Sequence, residues 1–115
     1  MSMEHIAFLT EPGGPRVEVV VNFGVFAARE ATPAELEELA RQLQPLTGRV
    51  TLVSERRHEL DDRSGTEVHQ VRVLVSDELL PEEQDELEQL QELVLARTEL
   101  WAHECVARRH AEVAD

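Results

Sequence analysis

The alternation of apolar and polar positions predicts six elements in the order strand, strand, helix, strand, strand, helix. Glu4 to Thr10 is a short apolar stretch, and Glu11-Pro12-Gly13-Gly14-Pro15 after it is a dense run of turn formers. From Arg16 to Ala27 the period is two: Val17, Val19, Val21, Phe23 and Val25 share one face, while Glu18, Val20, Asn22, Gly24 and Phe26 share the other. Successive strand residues point to opposite sides of a sheet, so this pattern predicts a second strand with one face in the core.

The period then lengthens. Thr32-Pro33-Ala34-Glu35 places a threonine to cap a helix, a proline at the first helical position and a glutamate three residues after the cap. Leu36, Leu39, Ala40 and Leu43 follow as one apolar stripe, and Pro45 with Gly48 is expected to end the helix. Arg49 to Leu60 and Thr66 to Ser76 read as a long hairpin around Asp61-Asp62-Arg63-Ser64-Gly65. If Val50 and Leu52 share the core face with Val71, Val73 and Val75, even positions on one strand oppose odd positions on the other, and Val53 joins Leu74 on the second face. The distal half of this hairpin is polar on both sides and is expected to project past the helices into water. Ser76 to Leu80 leads into a last helix from Pro81 to His110, with Leu87, Leu90, Val94, Trp101 and Cys105 as one stripe and Leu93, Leu100 and Ala107 as a second. Two seams on one helix predict more than one neighbour.

The expected fold is a single α+β domain over residues 1–115, ββαββα, with a four-stranded antiparallel sheet, two helices on one face and a long C-terminal helix. A right-handed crossover through the first helix would set the fourth strand between the second and third. The sheet then resembles a ferredoxin-like plait whose last strand has been moved to the front, a circularly permuted order. The analogy is one of topology and implies no activity.

Charge narrows the function. The net charge of -13 opposes the counterion release behind nucleic-acid affinity, and three phenylalanines and one tryptophan leave little to stack on bases. Nucleic acid and anionic membranes are therefore not expected partners. The apolar runs are too short to span a bilayer, and Met1 to Thr10 carries an acid and a histidine where a signal peptide has basic residues, so a cytoplasmic location is expected. Cys105, the single cysteine, has no internal disulfide partner. All 11 basic residues are arginine, and lysine and tyrosine are absent. That removes a phosphate-loop lysine, a Schiff-base lysine and a tyrosine acid or base together, and no cofactor is implied.

Candidate sites fall into three groups. The sheet face away from the helices is expected to carry Val20, Phe26, Val53, Val68 and Leu74, interrupted by Glu18, Asn22, Glu55, Arg57 and Arg72. Such a half-apolar face is an assembly surface or the wall of a pocket. As a pocket it would use Val20, Asn22, Phe26, Arg57 and Arg72, with arginine holding an anionic group. His58 and His69, on one face near the hairpin end, would be its available base or a metal pair. Leading into the last helix and along its first half, Asp77 to Glu92 contains eight carboxylates and no base. Asp85, Glu88, Glu92 and Glu99 lie opposite the apolar stripe and read as a solvated face toward a basic protein. Glu92, Glu99, His103 and His110 share that side, but Ala107 stands where a metalloprotease helix would place its second histidine. Cys105, on the apolar stripe with Trp101, reads as a packing thiol. The sequence thus points to a protein that works through protein contacts, as a homo-oligomer and toward a basic partner, in an adaptor, regulatory or immunity-like role. A small enzyme or ligand-binding protein with a pocket on the sheet face is the alternative.

Overall fold

The computed structural model describes residues 5–27, 29–60 and 65–113, with side chains outside 56–68 and 109–113. Its elements are strands β1 (Ala7–Leu9) and β2 (Glu18–Val21), a one-turn helix α1 (Phe23–Ala27), helix α2 (Pro33–Thr47), strands β3 (Val50–Leu60) and β4 (Gly65–Val75), a 3-10 turn (Asp77–Leu79) and the long helix α3 (Gln84–Val113). The four strands form one antiparallel sheet in the order β1-β2-β4-β3, the strand order that the crossover argument gives.

The hairpin register is the one that the valine pattern requires: Val50 opposes Val75, Leu52 opposes Val73 and Val53 opposes Arg72. Leu9, Val19, Val73 and Leu52 therefore form one row across all four strands, on the face that meets the helices. Slipping β4 by one residue would turn Val71, Val73 and Val75 away from that core, which is why the register is strongly specified. Only Val71 to Leu74 of β4 pair with β2, so the hairpin beyond Gln70 continues as two strands.

The second strand is shorter than the alternation predicts. It stops at Val21; the Asn22 amide donates to the Ile6 carbonyl (3.0 Å), and Phe23 to Ala27 turn as a helix instead of running on along β4. This turn buries Phe23 and Ala27, one helical repeat apart, and leaves Val25 exposed at 64%, where a strand would have put it in the core. Phe26, expected on the open sheet face, packs instead against the core cluster. The reason is a close approach. A Cβ on Gly24 would lie 2.9 Å from both the backbone nitrogen and the Cβ of His69, so α1 crosses β4 at a distance that only glycine permits.

Helix α2 starts as its capping box dictates, with the Glu35 amide donating to the Thr32 hydroxyl (3.1 Å) and the Thr32 amide to the Glu35 carboxylate (2.9 Å). Pro45 does not end it; the proline sits in the last turn, exposed, and the helix closes at Gly48, whose φ of 78° suits glycine and whose amide donates to the Gln44 carbonyl. Proline fits there because its φ is helical and only one ladder bond is lost so near the end. The buried stripe is Glu35, Leu39, Leu43 and Thr47, rotated from the expected one, with Leu36 and Ala40 half-buried. Helix α3 begins at Gln84, after Pro81, because the 3-10 turn and Leu80 take up the preceding residues.

Trp101 of α3 sets that rotation. Its ring is fully buried, its indole N–H donates to the Glu35 carbonyl (2.9 Å), and the Phe23 ring lies 5.5 Å away, tilted by 35°. One side chain thus joins α1, α2 and α3. Trp101→Ala should cost about 3 to 5 kcal/mol, a large part of a domain's usual stability of about 5 to 15 kcal/mol. Denaturant titration of the variant measures the loss, and the wild type should show the blue-shifted tryptophan emission of a dry site that reverts to a solvent-like spectrum only on unfolding.

Candidate functional site

Three polar side chains of α3 are used up in holding the fold. Glu99 accepts from the Ile6 amide (3.2 Å) and from His5 Nδ1 (3.0 and 3.2 Å), with His103 Nε2 at 3.8 Å, so it clamps the entry to β1. It is half-buried rather than solvated, which removes it from the acidic outer face to which the helical spacing assigned it. Gln91, buried at 2% exposure, accepts from the Gly13 amide (3.1 Å) and donates to the Gly14 (3.0 Å) and Arg16 (2.8 Å) carbonyls. Gln84 donates to the Gly13 carbonyl (3.0 Å). The turn between β1 and β2 is thereby tied to α3 through its own backbone groups. No periodicity argument picks out Gln91, because an amide on an apolar stripe is conspicuous only once its carbonyl and amide partners are known.

A second polar cluster surrounds Glu35. Arg29 donates to both carboxylate oxygens (2.7 and 2.8 Å), a paired arrangement that fits guanidinium to carboxylate. The Arg29 contact, helped by the Thr32 amide and the Cys105 thiol, outweighs burial and holds the Glu35 carboxyl down to about 2 from an ordinary 4.5. Burial, then the hydrogen bond to Glu35 and that carboxylate's charge, push the Cys105 thiol up to about 12. A thiol held neutral in this way is a packing group and a hydrogen-bond donor, not a nucleophile. The cluster is a structural joint: each charge in it is matched, and no group is left poised to exchange a proton near neutrality.

The open sheet face brings together some of the predicted pocket residues. Val20 opposes Arg72 and Phe8, and Arg72 opposes Val53. Arg72 bridges three strands, donating to Glu18 on β2 (3.0 Å) and to Glu55 on β3 (2.8 Å). Glu18 also accepts from the Thr10 hydroxyl (2.8 Å), and this bond together with Arg72 lowers its pKa. Asn22 Oδ1 accepts from Gln70 (2.8 Å). The guanidinium expected to hold an anionic ligand is thus neutralised by two carboxylates of its own sheet. Phe26 packs against the core, half-buried, instead, and the Arg57 side chain falls outside the described residues. Apolar area remains on this face, at Phe8 (46% exposed) and Val53 (37%).

The histidine pair is not directly opposed. Arg56 stands across from His69 and Glu67 across from His58, so the histidines share a face one step apart along the hairpin. The side chains of His58 and His110 fall outside the described residues. Among the described residues no group of three histidine, cysteine or carboxylate side chains is placed to hold a metal ion, and no helix is long and apolar enough to cross a membrane.

A groove also runs along α3. Asp85, Glu88 and Glu92 are exposed as the spacing predicts. Leu93, Leu100 and Ala107, the second seam, are exposed, Leu93 and Leu100 at 52% and 51%. Beside them the C-terminal turn of α2 and the 3-10 turn supply walls. One cleft of about 340 Å³ is lined by Leu46, Leu79, Leu80, Glu86, Leu90 and Leu93, and the adjoining one by Leu46, Leu93, Ala96, Arg97 and Leu100. Leu79, 43% exposed, was legible in the sequence only as part of a connection. The groove is apolar in its floor and charged at its rim, the composition of a protein contact.

Comparison with family models, with curated proteins and with solved structures finds no match for this chain. The geometry of its surfaces therefore carries the functional argument alone.

The Glu35 joint makes a pH prediction. A carboxyl whose folded-state pKa lies below its unfolded value stabilises the fold fully above the unfolded value, and the gain is lost as pH falls through the folded one. For Glu35 that window runs from about 4.5 down to about 2. The Glu35→Gln variant should be less stable than wild type at pH 7, by about 1 to 3 kcal/mol for lost bonds to a charged group. The difference should shrink as the pH is taken from 5 to 2, as read from denaturant midpoints across that range.

Proposed function

We propose that this chain acts by binding protein surfaces, as a small adaptor or regulatory module, and that the leucine groove between α3, the end of α2 and the 3-10 turn is its docking element. The observation that carries this reading is the exposure of Leu93 and Leu100 beside Leu46 and Leu79, apolar side chains that line two adjoining clefts among the described residues. Contiguous apolar surface on a folded domain is costly to leave in water and commonly marks a protein contact. The carboxylates of Asp85, Glu88 and Glu92 stand exposed on the same helix, where they raise the encounter rate with a basic surface more than they add to the final affinity. A basic protein and another copy of this chain are both partners of suitable chemistry.

Catalysis is not part of the reading. The buried Glu35 is paired with Arg29 and lies beside Cys105, and Arg72 is held by two acids, which supports a structural role for these groups. We also take the sheet order, with α2 and α3 packed on one face, as supporting a ferredoxin-like plait with its last strand moved to the front; that likeness bears on architecture and not on function.

The Leu93→Glu, Leu100→Glu double variant should keep the wild-type circular dichroism spectrum and melt within a few degrees of it, because both side chains are already exposed. It should lose the stoichiometric protein that wild type retains in matched affinity capture. Equal capture by the two forms would move the docking element elsewhere. A dose-dependent rise in melting temperature with a small anionic ligand would instead favour a ligand-binding role for the open sheet face.

A further inference from the structure

The groove carries a symmetry in its sequence. Glu86, Leu90, Leu93 and Arg97 all line it, and they are spaced by four, three and four residues along α3. At about 100° per residue the outer two differ by only about 20° around the helix, so the four form one stripe. Reversed, the same spacing reads identically. When two such helices lie antiparallel with a two-fold axis between Gln91 and Glu92, Leu90 of each meets Leu93 of the other, and Glu86 of each meets Arg97 of the other.

We propose that the groove is occupied by a second copy of this chain, packed antiparallel through α3 in that register. The proposal rests on the protein-binding reading and names its partner. Charge chooses both partner and direction. No basic residue occurs from Val73 to Ala96, and Arg97 is the first base after that acidic run. Parallel packing would set Glu86 against Glu86 and Arg97 against Arg97. Antiparallel packing sets the arginine of each copy against the acidic half of the other, twice, at the two ends of a four-leucine centre. The contact is isologous, as a two-fold dimer requires. Leu46 and Leu79 flank the stripe and supply the walls that a single exposed helix would lack.

The test is a charge exchange read by sedimentation equilibrium. Wild type should sediment at twice the 13.0 kDa chain mass at micromolar concentration. Glu86→Arg puts two arginines together at each end and Arg97→Glu puts two acids together; each variant alone should weaken association at least about tenfold, since like charges across an interface are strongly unfavourable. An equimolar mixture of the two variants restores both pairs and should sediment as a heterodimer, and the chain carrying both exchanges should dimerise with itself. All positions changed are exposed, so circular dichroism should report an unaltered fold. As a second reading, a chain with both Glu86→Cys and Arg97→Cys should oxidise to a covalent dimer. Within one helix these positions are about 16 Å apart, too far for an internal bridge. A wild-type dimer indifferent to both single exchanges overturns this packing. A wild type that stays monomeric overturns the second copy as occupant, and the broader docking role then stands or falls on whether capture still depends on Leu93 and Leu100.

Discussion

The bond from the Trp101 indole to the Glu35 carbonyl is the constraint on which the rest of the structure turns. A buried N–H must find an acceptor, and the first turn of a helix offers a carbonyl only if that helix is held at one depth and one rotation. Glu35 fixes both, since its carboxylate closes the capping box with Thr32 and receives Arg29 from the segment before the helix. The same residue therefore caps α2, recruits the chain that enters it and accepts the ring from α3. This explains why the buried stripe of α2 runs through Glu35, Leu39, Leu43 and Thr47 and not one residue further round.

Further along α3 the same logic repeats with other polar groups. Gln91 satisfies the backbone of the turn after β1, and Glu99 satisfies the amide at the start of β1. These contacts are spread over about two turns of one helix, and each one binds a piece of the N-terminal third of the chain. The long helix is thus less a cover for the sheet than a spine to which short elements are tied. β1 has only three residues and β2 four, too few for stable pairing alone.

A spine used on one side leaves its other side free. The face of α3 with Leu93 and Leu100 points away from the core that Leu87, Val94, Trp101 and Cys105 enter, and the end of α2 and the 3-10 turn reach its flank. On the sheet, the Glu18, Arg72 and Glu55 bridge spends its charges on joining three strands. The molecule thereby separates its roles: polar groups inside and on the sheet hold it together, and the apolar and acidic surface of α3 faces outward. That separation is the support for the binding role we propose.

The hairpin register, the strand order, the start of α2 and the exposure of Asp85, Glu88 and Glu92 followed from the sequence, because each depends on local periodicity or on capping chemistry within a few residues. The turn of α1 did not. The apolar alternation continues through Val25, and the close crossing of Gly24 over His69 on a distant strand, which lets the chain leave the sheet after Asn22, has no local signal. Pro45 misled for a similar reason, since a proline near a helix end obeys the helix when Gly48 supplies a better stop. Glu99 looked like a surface residue in a helical projection and Gln91 drew no notice, yet their roles are set by backbone groups 75 to 93 positions away. The four-three-four spacing of Glu86, Leu90, Leu93 and Arg97 is written in the sequence. That it faces outward, beside Leu46 and Leu79, was decided by the tertiary structure, because Trp101 and its bond to Glu35 fix which side of α3 is buried.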